Sequence, residues 1–132
     1  MLRDTTSFYF SIMKFEPGKI YIWVGGSCDY GHEERAGGGA YIAELDGNVV
    51  DKFTTAEFNT TEFKMIFAAM DHAIEKFIGS PIVFLSNVQY IQKYEKPQNV
   101  AIKILPYHKF PQQSDVHQMA SEAMREKRKS IL

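Results

Sequence analysis

The spacing of apolar residues changes near residue 60, and no other feature of the sequence limits the fold as strongly. Before that point aliphatic residues (Ile20, Ile22 and Val24) alternate with aromatic ones (Tyr21 and Trp23), and all five are bulky residues that favour strands. After it, apolar residues recur at steps of three and four, as on one face of a helix: Phe63, Ile66, Phe67, Met70, Ile74 and Phe77. Strands therefore precede the first helix.

Two further strands are predicted before the change of period. Residues Ala36–Leu45 contain three consecutive glycines, which indicate a close approach of another backbone to that strand. The triplet Asp46–Asn48 is a hairpin signal, and Val49–Phe58 is rich in β-branched and aromatic residues. The chain is therefore expected to open with three antiparallel strands in sequence order.

The second half alternates helices with strands. Thr60 or Thr61 is placed to cap the first helix, which Gly79 ends. The remaining predicted elements are a buried strand at Ile82–Asn87, two helical turns within Val88–Glu95, a strand at Val100–Tyr107 and a closing helix at Ser114–Ile131. The order is β-β-β-α-β-α-β-α, which predicts an α/β domain with a five-stranded mixed sheet and helices on both faces.

Length and charge exclude several classes of protein. A chain of 132 residues has room for one domain, assigned to residues 19–132, with residues 1–18 as an N-terminal extension that is mobile or adds a strand. A net charge of −1 provides no overall attraction to nucleic acid or to an anionic membrane. The single cysteine, Cys28, and the lack of an apolar run of about 20 residues predict a cytoplasmic protein that does not enter a membrane.

Five segments, in this order, resemble the type 1 ribonuclease H family between Ile20 and about Met124. They are Ile20–Cys28, Gly37–Leu45, Asn59–Glu75, Val83–Ile91 and Ser114–Ala123, similar to the first strand, second strand, first helix, fourth strand with its turn, and last helix. The resemblance implies a ribonuclease H-like fold. It also implies an origin among enzymes that cleave the RNA strand of RNA–DNA hybrids with two divalent metal ions held by four carboxylates.

At all four positions that match these carboxylates the sequence has another residue. The matching residues are Gly25, Met65, Asn87 and His117. Magnesium strongly prefers anionic oxygen, and two such ions repel each other unless several negative charges surround them. The resemblance therefore implies a divergent member without the catalytic carboxylates, with no metal cofactor, retained for binding nucleic acid or a protein.

Displaced acids offer an alternative. Glu62 lies three residues before Met65 and shares a helix face with it, and Asp115 lies two residues before His117. If they rebuilt the site, the chain would be an active ribonuclease H-type endonuclease that uses Mg²⁺ or Mn²⁺. Both acids are equally well explained as residues near a helix start.

Candidate contacts with nucleic acid are concentrated near the end of the chain. A basic run contains Arg125, Lys127, Arg128 and Lys129, and His108 precedes the last helix where the family has a histidine-bearing loop. Candidate stacking residues are Tyr21, Trp23, Tyr30, Tyr90 and Tyr94. The expected partner is an RNA–DNA hybrid or a single strand, bound weakly. A protein partner, a second copy of the chain, or a purely structural role are the alternatives.

Overall fold

The mixed sheet is confirmed by a computed structural model that describes residues 15–106 and 110–131. Within these residues the strands are β1 (Ile20–Cys28), β2 (Ala36–Leu45), β3 (Asn48–Phe58), β4 (Ile82–Ser86) and β5 (Val100–Ile104). The helices are α1 (Glu62–Lys76) and α2 (Pro111–Lys129). The sheet order is β3-β2-β1-β4-β5, with β1, β2 and β3 antiparallel and with β4 and β5 parallel to β1.

The two helices cover opposite faces of the sheet, as expected. Ile20, Ile22 and Val24 point toward α1 and share a core with its Ile66 and with other residues of that face. The alternate residues of β1 point toward α2, where Tyr21 and Trp23 meet Val116 and Ala120. Residues of β1 therefore contribute in turn to the two cores, because successive side chains of a strand point to opposite faces of the sheet.

Glycines in β2 bring both helices onto the strand backbone. An added Cβ on Gly38 would lie 2.1 Å from the carbonyl oxygen of Ala120 in α2. An added Cβ on Gly39, on the opposite face, would lie 2.2 Å from the carbonyl oxygen of Met65 in α1. The close approach predicted from the three consecutive glycines is thus present on both faces.

The turn between β2 and β3 has the backbone that a tight hairpin requires. Asp46 and Gly47 have φ angles of 49° and 82°. Left-handed conformations at both central residues match the twist of the adjoining strands. The hairpin predicted at Asp46–Asn48 is confirmed.

Local capping sets where the helices begin. Thr61 accepts a hydrogen bond from the backbone N–H of Lys64 at 3.1 Å, so Thr61 is the cap of α1. Helix α2 begins at Pro111, three residues before the predicted start at Ser114. The backbone N–H of Phe110 donates to Gln113 Oε1 at 2.9 Å, and a proline suits the first helical position because its missing N–H would have no partner there.

The segment after β4 differs from the prediction. Instead of two α-helical turns within Val88–Glu95, the chain forms a five-residue 3₁₀ helix at Gln89–Lys93. Ile91 is its buried residue. A single buried apolar side chain thus packs this segment against the core, and the helix is shorter and more tightly wound than the predicted α-helical turns.

The N-terminal extension is described only from Phe15 onward. The ring of Phe15 packs on that of Tyr21 with centroids 4.5 Å apart, and the N–H of Glu16 donates to the Tyr21 hydroxyl at 2.7 Å. The prediction for residues 1–14 lies outside the described part of the chain. Neither helix of residues 15–106 and 110–131 has the length and apolar character needed to cross a bilayer.

Candidate functional site

A cleft of about 200 Å³ lies at the carboxyl ends of β1 and β4, between the first turns of α1 and α2. Its apolar walls come from Trp23, Val24, Leu85, Val88 and Val116. Its other lining residues are Gly25, Gly26, Glu62, Ser86, Asn87, Gln113, Ser114 and His117. A concave, mostly apolar site with a few convergent polar groups is typical of a binding site.

Three of the four positions matched to the family's carboxylates meet in this cleft. Gly25, Asn87 and His117 line it, and Glu62 joins them from the start of α1. Met65 is fully buried and does not line it; its side chain lies against the backbone of Gly37 instead. The structure therefore brings together a glycine, an amide, an imidazole and one displaced acid.

The turn after β4 is held by a buried serine. Ser86 is 2% exposed, and its hydroxyl accepts a hydrogen bond from the N–H of Val88 at 3.0 Å. Asn87 lies between these two residues, so the turn fixes its backbone at the mouth of the cleft. The Asn87 amide can both donate and accept hydrogen bonds there.

Glu62 is the acid most closely tied to the cleft. Its Cγ would lie 3.2 Å from a Cβ placed on Gly26, so the stem of the side chain packs over a glycine of β1. Burial raises the pKa of the Glu62 carboxyl, and the positive charge of His117 across the cleft opposes that shift. The carboxyl can therefore serve as a hydrogen-bonding group and as a proton acceptor or donor.

The second displaced acid is not in the cleft. Asp115 lies on an exposed part of α2, next to the lining residues Ser114 and Val116 but not among them. Among the described lining residues Glu62 is the one carboxylate. In residues 15–106 and 110–131, no three His, Cys, Asp or Glu side chains come close enough together to hold a metal ion.

Helix α2 crowds the strand at Gly25. A Cβ on Gly25 would lie 3.2 Å from Val116 Cγ1 and 3.5 Å from the backbone nitrogen of His117. Any side chain at position 25 would therefore meet the first turns of α2. The residues present do not fit a two-metal centre, since they provide one carboxylate where such a centre needs several.

The basic run at the end of α2 is partly committed to internal contacts. Arg128 Nη2 lies 3.2 Å from Asp29 Oδ2 and donates to the carbonyl oxygen of Glu34 at 2.5 Å. The Lys127 ammonium and the Arg128 guanidinium lie 5.2 Å and 5.8 Å from the centre of the Phe58 ring. Arg128 thereby ties α2 to the loop between β1 and β2.

The other basic residues of the run face solvent. Lys129 forms an exposed ion pair with Glu126 at 3.6 Å, and Arg125 is exposed. Exposed pairs of this kind contribute little to stability and leave the lysine free to meet another anion. His108, the remaining candidate contact with nucleic acid, lies outside the described residues.

The candidate stacking residues divide into buried and exposed groups. Tyr21 and Trp23 are 6% and 1% exposed and belong to the core. Tyr94 is half-buried and donates a hydrogen bond to Asp71. Tyr30 and Tyr90 are exposed. Phe63, which its spacing places on the apolar face of its helix, is 36% exposed and stacks on Tyr90, a contact that no local pattern reveals.

Solved structures with the same architecture match most of the chain. LC11-RNase H1, isolated from compost by a metagenomic approach, gives a TM-score of 0.66 at 15% identity and covers 83% of this chain and 98% of its own. LC9-RNase H1, a type 1 RNase H with the type 2 active-site motif, gives 0.66 at 14% identity over 86% and 75%. The chain has a ribonuclease H-like fold.

The ribonuclease H-like fold also occurs within a longer viral enzyme. The foamy viral protease-reverse transcriptase in complex with RNA/DNA hybrid gives a TM-score of 0.68 at 12% identity, over 96% of this chain and 21% of that one. No family model and no curated protein matches the sequence. At such identities the likeness establishes the fold, and the residues of the cleft must decide the activity.

Proposed function

We propose that this ribonuclease H-like domain binds nucleic acid through its cleft and does not hydrolyse it by a metal-dependent route. The observation that carries the proposal is the set of residues in the cleft: Gly25, Asn87 and His117 stand with a single carboxylate, Glu62. Two divalent cations about 4 Å apart repel each other strongly, and one carboxylate supplies too little negative charge to hold both.

The loss of carboxylates also changes what the cleft attracts. The family's site holds four carboxylates and the described lining of this cleft holds one, so the cleft should repel a phosphate backbone less strongly. His117 adds a group that becomes positive on protonation. Arg125 and Lys129 are exposed cations further along α2, outside the cleft lining, where they can contact phosphates of a strand that extends beyond the cleft. LC11-RNase H1 has been solved with an RNA/DNA hybrid, and the foamy viral enzyme with dsDNA and with hybrid.

A cytoplasmic location forms part of this proposal. Cys28 is a free thiol, which suits a reducing compartment. The proposal requires no metal ion or other cofactor, and it places the partner among nucleic acids. A protein partner or a second copy of the chain is the competing assignment.

The test combines binding and cleavage on one set of oligonucleotides. Anisotropy of labelled single-stranded, duplex and hybrid oligonucleotides is measured in EDTA at about 50 and about 200 mM salt. We expect binding that weakens steeply between the two salt concentrations, because phosphate contacts release counterions. We also expect no cleavage of the hybrid when Mg²⁺ or Mn²⁺ is added.

Two outcomes would contradict the proposal. Metal-dependent cleavage of the hybrid that disappears in Glu62→Gln would establish the active endonuclease that uses displaced acids. A Glu75→Gln variant is the matched control, because Glu75 lies on the exposed face of the same helix, outside the cleft lining, and should leave such cleavage unchanged. Absence of binding at both salt concentrations would favour a protein partner or self-association.

A further inference from the structure

Three exposed aromatic rings lie around the first turn of α1, at the edge of the cleft. They belong to Tyr30, Phe63 and Tyr90, which are 56%, 36% and 43% exposed, and they are called here the aromatic row. Tyr30 comes from the loop after β1, Phe63 from α1 and Tyr90 from the 3₁₀ helix. Exposed apolar surface gathered in one place can mark a binding site.

Each of these rings is held in place by a defined contact. The Phe63 and Tyr90 rings are stacked, with centroids 4.2 Å apart and an angle of 24° between their planes. The Tyr30 hydroxyl accepts a hydrogen bond from the backbone N–H of Glu62 at 3.1 Å, which fixes that ring against the helix start. Because Glu62 also lines the cleft, the aromatic row borders the site described above.

A cation accompanies each end of the aromatic row. Lys93 Nζ lies 5.0 Å from the centre of the Tyr90 ring, and the Arg35 guanidinium carbon lies 5.6 Å from the centre of the Tyr30 ring. Aromatic rings interleaved with cations match the two repeating parts of a nucleic-acid strand, because bases stack on rings and phosphates pair with cations.

We propose that the aromatic row is a stacking surface for unpaired bases, so that this domain prefers a single strand to a duplex. In a duplex each base is already stacked within the helix and cannot lay its face on a protein ring. A flexible single strand can place bases on Phe63 or Tyr90 while its phosphates reach Lys93 and Arg35. This inference rests on the proposed function and deepens it by naming the class of strand.

The test removes the rings and the bases separately. Anisotropy compares wild type with Phe63→Leu/Tyr90→Leu on a single strand, on the duplex of the same sequence, and on a strand of equal length in which abasic sites replace the central nucleotides. Ile78→Ser is the matched control, because Ile78 is a large apolar residue that is 81% exposed and lies beyond the other end of α1. Circular dichroism checks that each variant is folded.

We expect wild type to bind the single strand at least about fivefold more tightly than the duplex. The double variant should lose at least about fivefold on the single strand and little on the duplex, while Ile78→Ser changes neither. Wild type should bind the abasic strand as weakly as the double variant binds the intact strand. The double variant should bind the abasic strand with the same affinity as wild type does, because the bases that the rings would contact are already missing. If the double variant does not fold, Lys93→Gln and Tyr30→Leu are measured in the same way.

Different results would overturn different claims. Equal single-strand affinity of wild type and the double variant, or equal affinity of wild type for abasic and intact strands, would refute the role of the aromatic row while leaving the proposed function in place. A wild-type protein that binds none of the oligonucleotides at low salt would refute both.

Discussion

Gly38 and Ala120 lie so close together that a Cβ atom on the glycine would stand 2.1 Å from the carbonyl oxygen of the alanine. This contact seats α2 directly on the backbone of β2. The adjacent Gly39 has the equivalent contact with Met65 of α1 on the other face. The central layer of the domain therefore depends on two neighbouring residues that have no side chain.

The first prediction concerns Gly38. Gly38→Ala should lower the free energy of unfolding by at least about 2 kcal/mol, because the obstructing atom belongs to helix backbone that cannot move alone. Thermal denaturation followed by circular dichroism measures the effect. Gly31→Ala is the control, since its Cβ would meet only the Asp29 side chain at 3.7 Å. Equal melting temperatures for Gly38→Ala and wild type would contradict the packing described.

The second prediction concerns Gly25, the position matched to a family carboxylate. Gly25→Asp should cost about 1 kcal/mol, less than Gly38→Ala, because the nearest atom is a Val116 methyl carbon at 3.2 Å that can shift. It should not make the melting temperature respond to millimolar Mg²⁺ or Mn²⁺, because Asn87 stays uncharged and Met65 stays buried. Gly25→Ala separates the steric cost from the added charge. A rise of several degrees with either metal, in wild type or Gly25→Asp, would argue for a functioning metal site.

The third prediction concerns the pH dependence of stability. Burial raises the pKa of Glu62 in the folded protein above its ordinary value of 4.5, so the folded state holds this proton more tightly than the unfolded state does. The stability from this proton is fully present below pH 4.5 and is lost as the pH rises through the folded-state pKa. Glu62→Gln should therefore melt at a higher temperature than wild type near pH 7.

The difference in melting temperature between Glu62→Gln and wild type should narrow as the pH falls from about 7 through the folded-state pKa of Glu62, and it should be smallest below pH 4.5, where both side chains are neutral. Melting temperatures measured from pH 3.5 to about pH 7.5 test this. Glu75→Gln on the exposed face of α1 is the matched control and should show no such trend. A stabilisation by Glu62→Gln that stayed constant across the range would assign the effect to something other than the buried charge.

The fourth prediction separates the basic residues of α2 by role. Arg128→Ala should lower stability by about 1 kcal/mol, since it removes the guanidinium that pairs with Asp29 and donates to the Glu34 carbonyl. Lys129→Ala should leave stability unchanged and weaken binding to every oligonucleotide by a similar factor, because its ion pair is exposed. Denaturation and anisotropy on the two variants test both statements. Equal melting temperatures for the two variants would refute the structural role of Arg128.

The sequence predicts most of the fold because its signals are local. Alternation along β1, the Asp46–Asn48 turn and the Thr61 cap each depend on a few adjacent residues, and each is found in the structure. Helix α2 begins at Pro111 and not at the predicted Ser114, although proline at the first helical position is a local signal. The 3₁₀ helix at Gln89–Lys93 could not be distinguished from α-helix, because its length depends on what Ile91 packs against.

The candidate site is less predictable because it depends on contacts between distant segments. Matching the sequence to a family placed Gly25, Asn87 and His117 in one site, and the structure gathers these three around the cleft. It could not indicate that Asp115 stands outside the lining or that Arg128 pairs with Asp29, 99 residues away. The stacking of Phe63 on Tyr90 likewise depends on how α1 meets the 3₁₀ helix.

The environment of Trp23 makes its fluorescence an intrinsic reporter of the state of the domain. It is the single tryptophan of the chain, its indole N–H donates to Glu44 Oε1, and its ring packs at 5.2 Å from that of Phe110. Unfolding would expose this indole to water and shift its emission to longer wavelength. Since Trp23 also contributes to the cleft wall, a ligand that enters there would alter the same signal, and one unlabelled sample would register both events.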